Sequence, residues 1–208
     1  FNMKILVACE ESQAVTIELR KIGHEAYSND LVDCSGGHPE WHLKQCVIKS
    51  INSCKWDLII MHPPCTAMTV SGNSTYGIGT DGIPKAKHKE RLEAVKWTQS
   101  VWDLATSVCD KVAMENPVGV LNSLGNFPKP HYVQPYQFGH KEQKKTGFWL
   151  YGLEALEETN NVYEEMMLLS IKQRQRLHYL PPSKDRAALR SKTFKGIAKA
   201  MATQWTKL

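Results

Sequence analysis

A cysteine and a glutamate stand at the ends of two apolar segments, and both are residue types that catalyse group transfer. Cys65 follows Pro63 and Pro64 directly after one apolar segment, and Glu115 ends another one further along the chain. A thiolate is a strong nucleophile, and a carboxyl group can hold or move a proton. The two prolines restrict the backbone before Cys65, which favours a thiol held in a fixed position.

Simpler roles are open for both residues. Cys65 is one of six cysteines, and most buried cysteines are ordinary core residues. Glu115-Asn116-Pro117 also fits a helix start, with Asn116 as N-cap and Pro117 in the first turn. The cysteines form no CxxC pair in a chain of this length, so we expect reduced thiols. They lie at positions 9, 34, 46, 54, 65 and 109.

Strands and helices alternate in a pattern that would bring these residues together. Apolar segments predict strands at 4–9, 24–28, 56–61, 111–114 and 147–151, and helical spacing predicts helices at 12–22, 47–51, 89–109, 170–178 and 196–205. Ser12 is the predicted N-cap of the first helix, and Gly23 its end. The alternation predicts an α/β fold with a doubly wound, mostly parallel sheet. Such sheets bind ligands beyond the carboxyl ends of their strands, where Cys65 and Glu115 are expected as neighbours.

The bulk composition is that of an ordinary globular protein. The chain has 208 residues, of which 42% are apolar and 23% charged. We expect one catalytic domain over 3–208, with 152–208 as a small helical C-terminal portion, and 1–2 as a recombinant remnant before the native Met3. No segment is long and apolar enough for a membrane helix, so we expect a soluble, cytoplasmic protein without membrane contact. The net charge of +5 permits a polyanionic partner without requiring one.

The two motifs at the predicted strand ends are similar to the catalytic motifs of the DNA cytosine-C5 methyltransferases. Residues 63–65 take the place of the family's Pro-Cys-Gln motif, with Thr66 for the glutamine, and 115–117 take the place of its Glu-Asn-Val motif. Segment 169–177 resembles a later Leu-Thr-x-Arg-Glu-x-x-Arg-Leu stretch. Segment 196–202 corresponds to the late helix that packs against the cofactor.

The chain most closely resembles the compact cytosine-methyltransferase-like proteins of phages and prophages, from Met3 to Trp205. Their His-Pro-Pro-Cys-Thr motif stands at 62–66, and their Gln-Pro-x-Gln-Phe-Gly-His motif at 134–140. The resemblance implies a Rossmann-like class I methyltransferase fold and a DNA (cytosine-5-)-methyltransferase activity. A phage-encoded protein of this kind would act in the cytoplasm of a bacterial host.

The resemblance implies a covalent mechanism. Cys65 would add to C6 of the pyrimidine while Glu115 binds the N3 edge, so that C5 accepts the methyl group. Pro64 and Asn116 belong to the same catalytic motifs. A thiol at its ordinary pKa of about 8.5 is only a few per cent ionised at neutral pH, so a nearby positive charge is expected. Lys144 lies where the family carries its arginine-rich motif, although a solvated lysine is the alternative.

The implied cofactor is S-adenosylmethionine, with S-adenosylhomocysteine as product. The turn Cys9-Glu10-Glu11-Ser12 would meet the methionine moiety, and Asp30 would accept hydrogen bonds from the ribose hydroxyls. The family has a glycine-rich turn here and an aspartate beside the adenine, whereas this chain has no glycine in the turn and has a cysteine in place of the aspartate. The remaining predicted cofactor contacts are Leu31, Cys46, His62 and Pro63.

The predicted substrate is DNA, duplex or locally opened. Only about 20 residues separate Tyr151 from Ile171, too few for a large target-recognition region, so low or short-site specificity is expected. The target base would be flipped out of the stack. Basic residues are predicted to contact phosphates, although their charges also fit a solvated helix face. They are Lys145, Lys172, Arg174, Arg176, Lys184, Arg186, Arg190 and Lys192.

Three alternatives stay open beside this interpretation. One is C5 methylation of a free pyrimidine nucleotide, and another is a catalytically silent DNA-binding protein of the same fold. The third is a zinc site, because Cys34, His38, His42 and Cys46 recur at a spacing of four. Two glycines and a proline between them would break the helix that aligns such ligands, so we expect no metal.

Overall fold

Seven strands form one sheet in the computed structural model, which describes residues 1–207. The order across the sheet is β3-β2-β1-β4-β5-β7-β6. The strands are β1 (Lys4–Ala8), β2 (Glu25–Asp30), β3 (His42–Lys44), β4 (Leu58–Met61), β5 (Val112–Pro117), β6 (His131–Val133) and β7 (Thr146–Tyr151). The helices are α1 (Ala14–Lys21), α2 (Val47–Asn52), α3 (Asn73–Tyr76), α4 (His88–Val108), α5 (Leu121–Leu124), α6 (Tyr163–Met167), α7 (Ile171–Arg174), α8 (Arg186–Ser191) and α9 (Lys195–Gln204).

The first five strands run parallel, and β7 inserts antiparallel between β5 and β6. The strand order reverses between β1 and β4, since the chain first builds outward through β2 and β3 and then returns through β4 and β5. Ligands of doubly wound sheets bind at such a reversal, beyond the carboxyl ends of the strands. The predicted α/β, mostly parallel fold is confirmed.

Each face of the sheet carries its own hydrophobic core. Successive strand residues point to opposite faces, so Ile5 and Val7 pack with α1 and α9, while Leu6 packs with α2 and α4 on the other side. β4 is apolar and buried at every position, as expected for a central parallel strand. This double cover fixes β1, β4 and β5 rigidly and thereby fixes the positions of the residues that follow them.

Several local predictions were wrong. The segment at Glu115 is not a helix start, because β5 continues through Pro117, which pairs with Thr146 of β7. α1 begins at Ala14 with Gln13 as N-cap rather than Ser12. The helix predicted at 170–178 ends at Arg174.

The two shortest outer strands and one helix face also differ from prediction. β3 and β6 have three residues each, and no strand was predicted at either place. Leu92, an apolar residue within the helix predicted at 89–109, is exposed. No helix within residues 1–207 is long and apolar enough to cross a membrane.

Candidate active site

The turn after β4 presents Cys65 at the carboxyl edge of the sheet. Pro63 is buried, whereas Pro64 is exposed and Cys65 is half-buried. The carbonyl oxygen of Cys65 accepts hydrogen bonds from Met68 N at 2.8 Å and Thr69 N at 3.1 Å. The thiol therefore sits where a rigid strand becomes a tight turn.

A buried arginine of α4 stabilises the turn after Cys65 through hydrogen bonds. Arg91 donates from Nε to the carbonyl of Ala67 at 2.7 Å and from Nη2 to that of Thr69 at 2.9 Å. It also donates to Asn73 Oδ1 at 2.9 Å. Three hydrogen bonds from one planar guanidinium join α4 to the loop that follows Cys65. α4 therefore stabilises the conformation of this loop.

The end of β5 lies beside the end of β4. Met61 is the register partner of Met114, so His62 and Glu115 follow at the same level. The buried side chain of Asn116 donates to the carbonyl of Pro63 at 3.2 Å. Asn116 thus ties the two strand ends together, a role different from the helix cap that was the alternative.

His62 lies between two carboxylates. Its Nδ1 is 3.0 Å from Glu115 Oε2, and its Nε2 is 3.7 Å from Glu10 Oε2. All three side chains are buried or nearly so, with 9%, 14% and 3% of the His62, Glu115 and Glu10 side chains exposed. Burial by itself lowers the pKa of His62, but the hydrogen bond to Glu115 and the charges of Glu115 and Glu10 outweigh it, so the pKa of His62 is raised.

The charges around Cys65 act in opposite directions. Burial raises the pKa of the Cys65 thiol, and the nearby charge of Glu115 raises it further, while Lys144 and Arg190 lower it. The net direction is upward. The expected positive charge is therefore present, yet the resting thiol stays protonated more strongly than a free cysteine.

Lys144 and Arg190 come from distant parts of the chain and meet near Cys65. The Lys144 ammonium donates to the carbonyl of Arg190 in α8. The backbone N–H of Lys144 donates to Gln134 Oε1 at 2.9 Å. Sequence reasoning placed Arg190 among the phosphate contacts, and no local signal indicates its position beside the thiol.

The Gln134–His140 motif organises the elements that carry these cations. Gln134 forms a reciprocal capping box with Gln137 around the short 3₁₀ turn Pro135–Gln137. His140 Nε2 accepts a hydrogen bond from Gly196 N at 2.8 Å, in the first turn of α9, and its ring packs on Phe194 at 5.1 Å between centroids. The motif has a structural role, since it joins the approach to β7 to the final helix.

Three of the predicted cofactor residues meet at the ends of β1 and β2. Burial raises the pKa of Cys9 to about 12, with further contributions from the charges of Asp30 and Cys46, which shows that these side chains are neighbours. Cys9 has a left-handed φ of 59°. Asp30 Oδ1 accepts from Leu31 N at 2.7 Å, and the Leu31 side chain is 71% exposed.

Glu10, predicted as a cofactor contact, is buried and lies between α1 and His62. Its carboxylate accepts from Val15 N at 2.9 Å, Thr16 N at 3.1 Å and Thr16 Oγ1 at 2.9 Å, and thereby caps α1. Glu11 and Ser12 are half-buried, and Ser12 Oγ accepts only a long 3.4 Å bond from Ala14 N. A carboxylate thus satisfies the first N–H groups of α1.

Three of the basic residues predicted to contact DNA have hydrogen-bond or ion-pair partners within the chain. Arg176 forms an ion pair with Glu142 at 2.9 Å, and Arg186 donates to the carbonyl of Leu180 at 2.9 Å. Arg174 is half-buried and donates to the carbonyl of Leu169 at 3.1 Å. Four of the others are exposed, namely Lys145, Lys172, Lys184 and Lys192, and Arg190 is half-buried. The Lys145 ammonium lies 4.5 Å from the centre of the Tyr132 ring.

Both histidines considered for zinc make other contacts. His42 bonds Ser28 Oγ at 2.8 Å and the carbonyl of Val32 at 2.9 Å, and His38 stacks on Trp41 with 3.9 Å between ring centres. Across residues 1–207, no group of three or more histidine, cysteine, aspartate or glutamate side chains is arranged to hold a metal ion.

Comparison with known proteins gives matches at the level of structure. No protein-family model matches the sequence, and no curated protein does. The methyltransferase EhMeth of Entamoeba histolytica superposes with a TM-score of 0.54 at 12% identity, over 77% of this chain and 58% of that one. The chain has the fold of this methyltransferase.

Two further solved structures superpose less closely. A candidate DNA modification methyltransferase encoded within a prophage of E. coli gives a TM-score of 0.43, over 74% of this chain and 49% of that one. The Dnmt2 methyltransferase of S. pombe gives 0.47, over 90% and 62%. Both are 12% identical to this chain. The chain therefore spans about half to three fifths of the length of the structures it matches.

Proposed function

We propose that the protein transfers a methyl group from S-adenosylmethionine to C5 of cytosine in DNA, through a covalent bond to Cys65. The observation that carries this proposal is the pairing of two strand ends. Cys65 follows β4 and Glu115 lies in β5, the two strands are parallel neighbours, and the charge of Glu115 acts on the Cys65 thiol. A nucleophile and a carboxyl group that face one substrate ring need this arrangement.

The residues at the ends of β1 and β2 fit the proposed cofactor. Asp30 offers a carboxylate for ribose hydroxyls, and the exposed Leu31 side chain offers an apolar surface for an adenine ring. Within residues 1–207, the backbone N–H groups of Glu11 and Ser12 have no backbone acceptor, so they are available to the cofactor's carboxylate. When bound, S-adenosylmethionine supplies an electrophilic methyl group.

The steps that activate the pyrimidine have candidate residues. The Cys65 thiol releases its proton to water, the thiolate Sγ bonds to C6, the C5–C6 π pair moves to form a C4–C5 double bond, and N3 takes a proton from Glu115. C5 is then nucleophilic enough to accept the methyl group. Loss of the C5 proton to a base and departure of Cys65 restore the aromatic ring. Lys144 and Arg190 stabilise the thiolate as it forms.

DNA is favoured over a free nucleotide by charge. Arg190, one of the cations beside the Cys65 thiol, follows Lys184 in the same basic segment, and Lys184 is exposed. The chain has a net charge of +5. A phosphate backbone that leads to a flipped base would follow such a path.

Labelled S-adenosylmethionine tests the proposal directly. The protein is incubated with duplex DNA, single-stranded DNA, RNA or dCMP, and the acceptor that gains label is identified. We expect label on DNA, at C5 of cytosine, and a loss of at least about 1,000-fold in the Cys65→Ala variant. Label on dCMP alone would establish the nucleotide alternative. Absence of label on all four, with DNA still bound, would favour the catalytically silent protein.

A further inference from the structure

Glu10, His62 and Glu115 form a buried group whose geometry differs from that of a simple ion pair. Glu10 already has three donors from α1, so it does not need His62 to satisfy its oxygens. His62 Nε2 has no hydrogen-bond partner among the described residues, although its nearest carboxylate oxygen lies 3.7 Å away. The single close bond of the imidazole is the 3.0 Å bond between Nδ1 and Glu115 Oε2.

The charges that face His62 favour the imidazolium form. Two carboxylates, Glu10 from the β1 end and Glu115 from β5, lie on its two sides. Lys144, from the segment before β7, acts against them. An imidazolium in this position donates from Nδ1 to Glu115 and holds that carboxyl group at the edge where a pyrimidine N3 would approach.

We propose that His62 is the positioning residue of Glu115 and the store of the proton that Glu115 gives to the pyrimidine ring. This inference rests on the proposed function. The proton moves from His62 Nδ1 to Glu115 Oε2, and the proton on Glu115 moves to N3 as the Cys65–C6 bond forms. When Cys65 leaves, N3 returns its proton to Glu115 and His62 is protonated again, so no oxidant or co-reactant is needed.

The same transfer links the two catalytic groups electrostatically. Glu115 raises the pKa of the Cys65 thiol only while it is charged. A proton delivered from His62 neutralises Glu115, and the thiol is then left with the two cations, Lys144 and Arg190. The nucleophile is therefore activated when the substrate edge is engaged.

Nuclear magnetic resonance of ¹⁵N-histidine-labelled protein tests proton storage without any substrate. His62→Asn identifies the His62 signals, and the exposed His131→Gln variant is the matched control. We expect the His62 ring to carry both protons at pH 7, and Glu115→Gln to lower its titration midpoint, whereas His131→Gln leaves it unchanged. A neutral His62 ring at pH 7, or a midpoint that does not respond to Glu115→Gln, would overturn the inference.

The pH profile of methyl transfer tests the use of that proton. Asparagine at position 62 keeps an N–H donor near the place of Nδ1 but cannot release a proton at these pH values. We expect His62→Asn to reduce the rate about 100-fold at pH 7 and to remove the decline of the wild-type rate at high pH. An equal loss at every pH would indicate a merely structural role and contradict the inference.

The two proposals fail in different ways. If the wild type labels no acceptor, the proposed function fails, and the imidazole titration still decides whether His62 stores a proton. If the wild type methylates DNA and His62→Asn retains its rate and pH profile, the proposed function stands and the role of His62 is refuted.

Discussion

At the scale of single residues, the site is governed by the balance of charge around Cys65. Burial and Glu115 raise the pKa of the thiol, and Lys144 and Arg190 oppose them. A cysteine poised by a positive field alone would be reactive at all times. We infer that the reactivity of the thiol depends on the protonation of Glu115, because the charge of Glu115 is one of the causes that raise the thiol pKa.

The reactivity of Cys65 towards iodoacetamide measures this balance. We expect Glu115→Gln to accelerate alkylation of Cys65 at pH 7.5 by about threefold to tenfold, since a charge that raises the thiol pKa is removed. Lys144→Met should slow it by a similar factor. Peptide mass spectrometry follows each cysteine separately, and the exposed Cys46 is the internal control. Equal rates in all three proteins would show that these charges do not control the thiol.

Residues of the candidate site were predictable where they belong to a sequence motif. Two short motifs and their positions after strands predicted Cys65 and Glu115 as neighbours, and the structure brings them together at the ends of β4 and β5. Their catalytic roles and that of Asn116 stay predictions. His62 was predicted only as a cofactor contact, because its bond to Glu115 depends on the register of β4 and β5. Arg190 was placed with the phosphate contacts, since nothing in its neighbours along the chain indicates that α8 folds back towards β4.

At the scale of elements, long segments were predictable and short ones were not. α4 and the central strands have enough apolar residues to show their period. β3 and β6, at three residues each, exist through pairing with β2 and β7, which no local pattern reports. Glu115-Asn116-Pro117 has the composition of a helix start, but pairing with β7 keeps it extended.

At the same scale, Arg91 joins α4 to the turn after Cys65. We expect Arg91→Met to lower the free energy of unfolding by about 2 to 4 kcal/mol, because three oxygen acceptors lose a buried, charged donor. Methyl transfer should fall by about tenfold or more as the Cys65 loop loosens. Arg91→Lys should recover only part of both, since an ammonium cannot reproduce the planar fork. Urea unfolding and initial rates measure the effects, and unchanged rates in Arg91→Met would contradict this role of α4.

The bond between His140 and α9 predicts a pH-dependent contribution to stability. Burial lowers the pKa of His140, and Glu142 opposes this only in part. The unfolded chain then binds a proton more readily than the folded protein, so the stabilisation is present above about pH 6.5 and is lost as the pH falls below it.

Urea unfolding at pH 7.5 and pH 5.5 measures that contribution. His140→Ala should cost about 1 to 3 kcal/mol at pH 7.5, because the N–H of Gly196 loses its acceptor. The difference between wild type and variant should shrink at pH 5.5. The exposed His131→Ala is the control, and a difference that grows on acidification would show that the sign is wrong.

At the scale of the whole molecule, the chain has a methyltransferase fold, and the distribution of its basic residues bears on how it would bind DNA. The chain is shorter than the solved structures it matches, of which it spans 49% to 62%. Four of the lysines predicted to contact DNA are exposed in the described part of the chain: Lys145, Lys172, Lys184 and Lys192. We therefore expect DNA binding that is dominated by phosphate contacts and depends strongly on salt.

The salt dependence of DNA affinity separates contacting from solvated cations. We expect Lys184→Ala to reduce the slope of log K against log salt by about 0.9, the value for one phosphate contact. Lys21→Ala, at the end of α1 that faces the opposite edge of the sheet, is the matched control and should leave the slope unchanged. A Lys184→Ala slope equal to that of the wild type would remove this lysine from the interface.

The central claim is that Cys65 forms a covalent bond to the pyrimidine, and trapping on 5-fluorocytosine DNA tests it most directly. Fluorine takes the place of the C5 hydrogen, so no C5 proton can be removed and the methylated adduct cannot release Cys65. With S-adenosylmethionine, wild-type protein should form a complex with this DNA that survives denaturing electrophoresis, and Cys65→Ser should form none. A wild type that methylates ordinary DNA but forms no trapped complex, or a Cys65→Ser variant that still traps, would contradict the account.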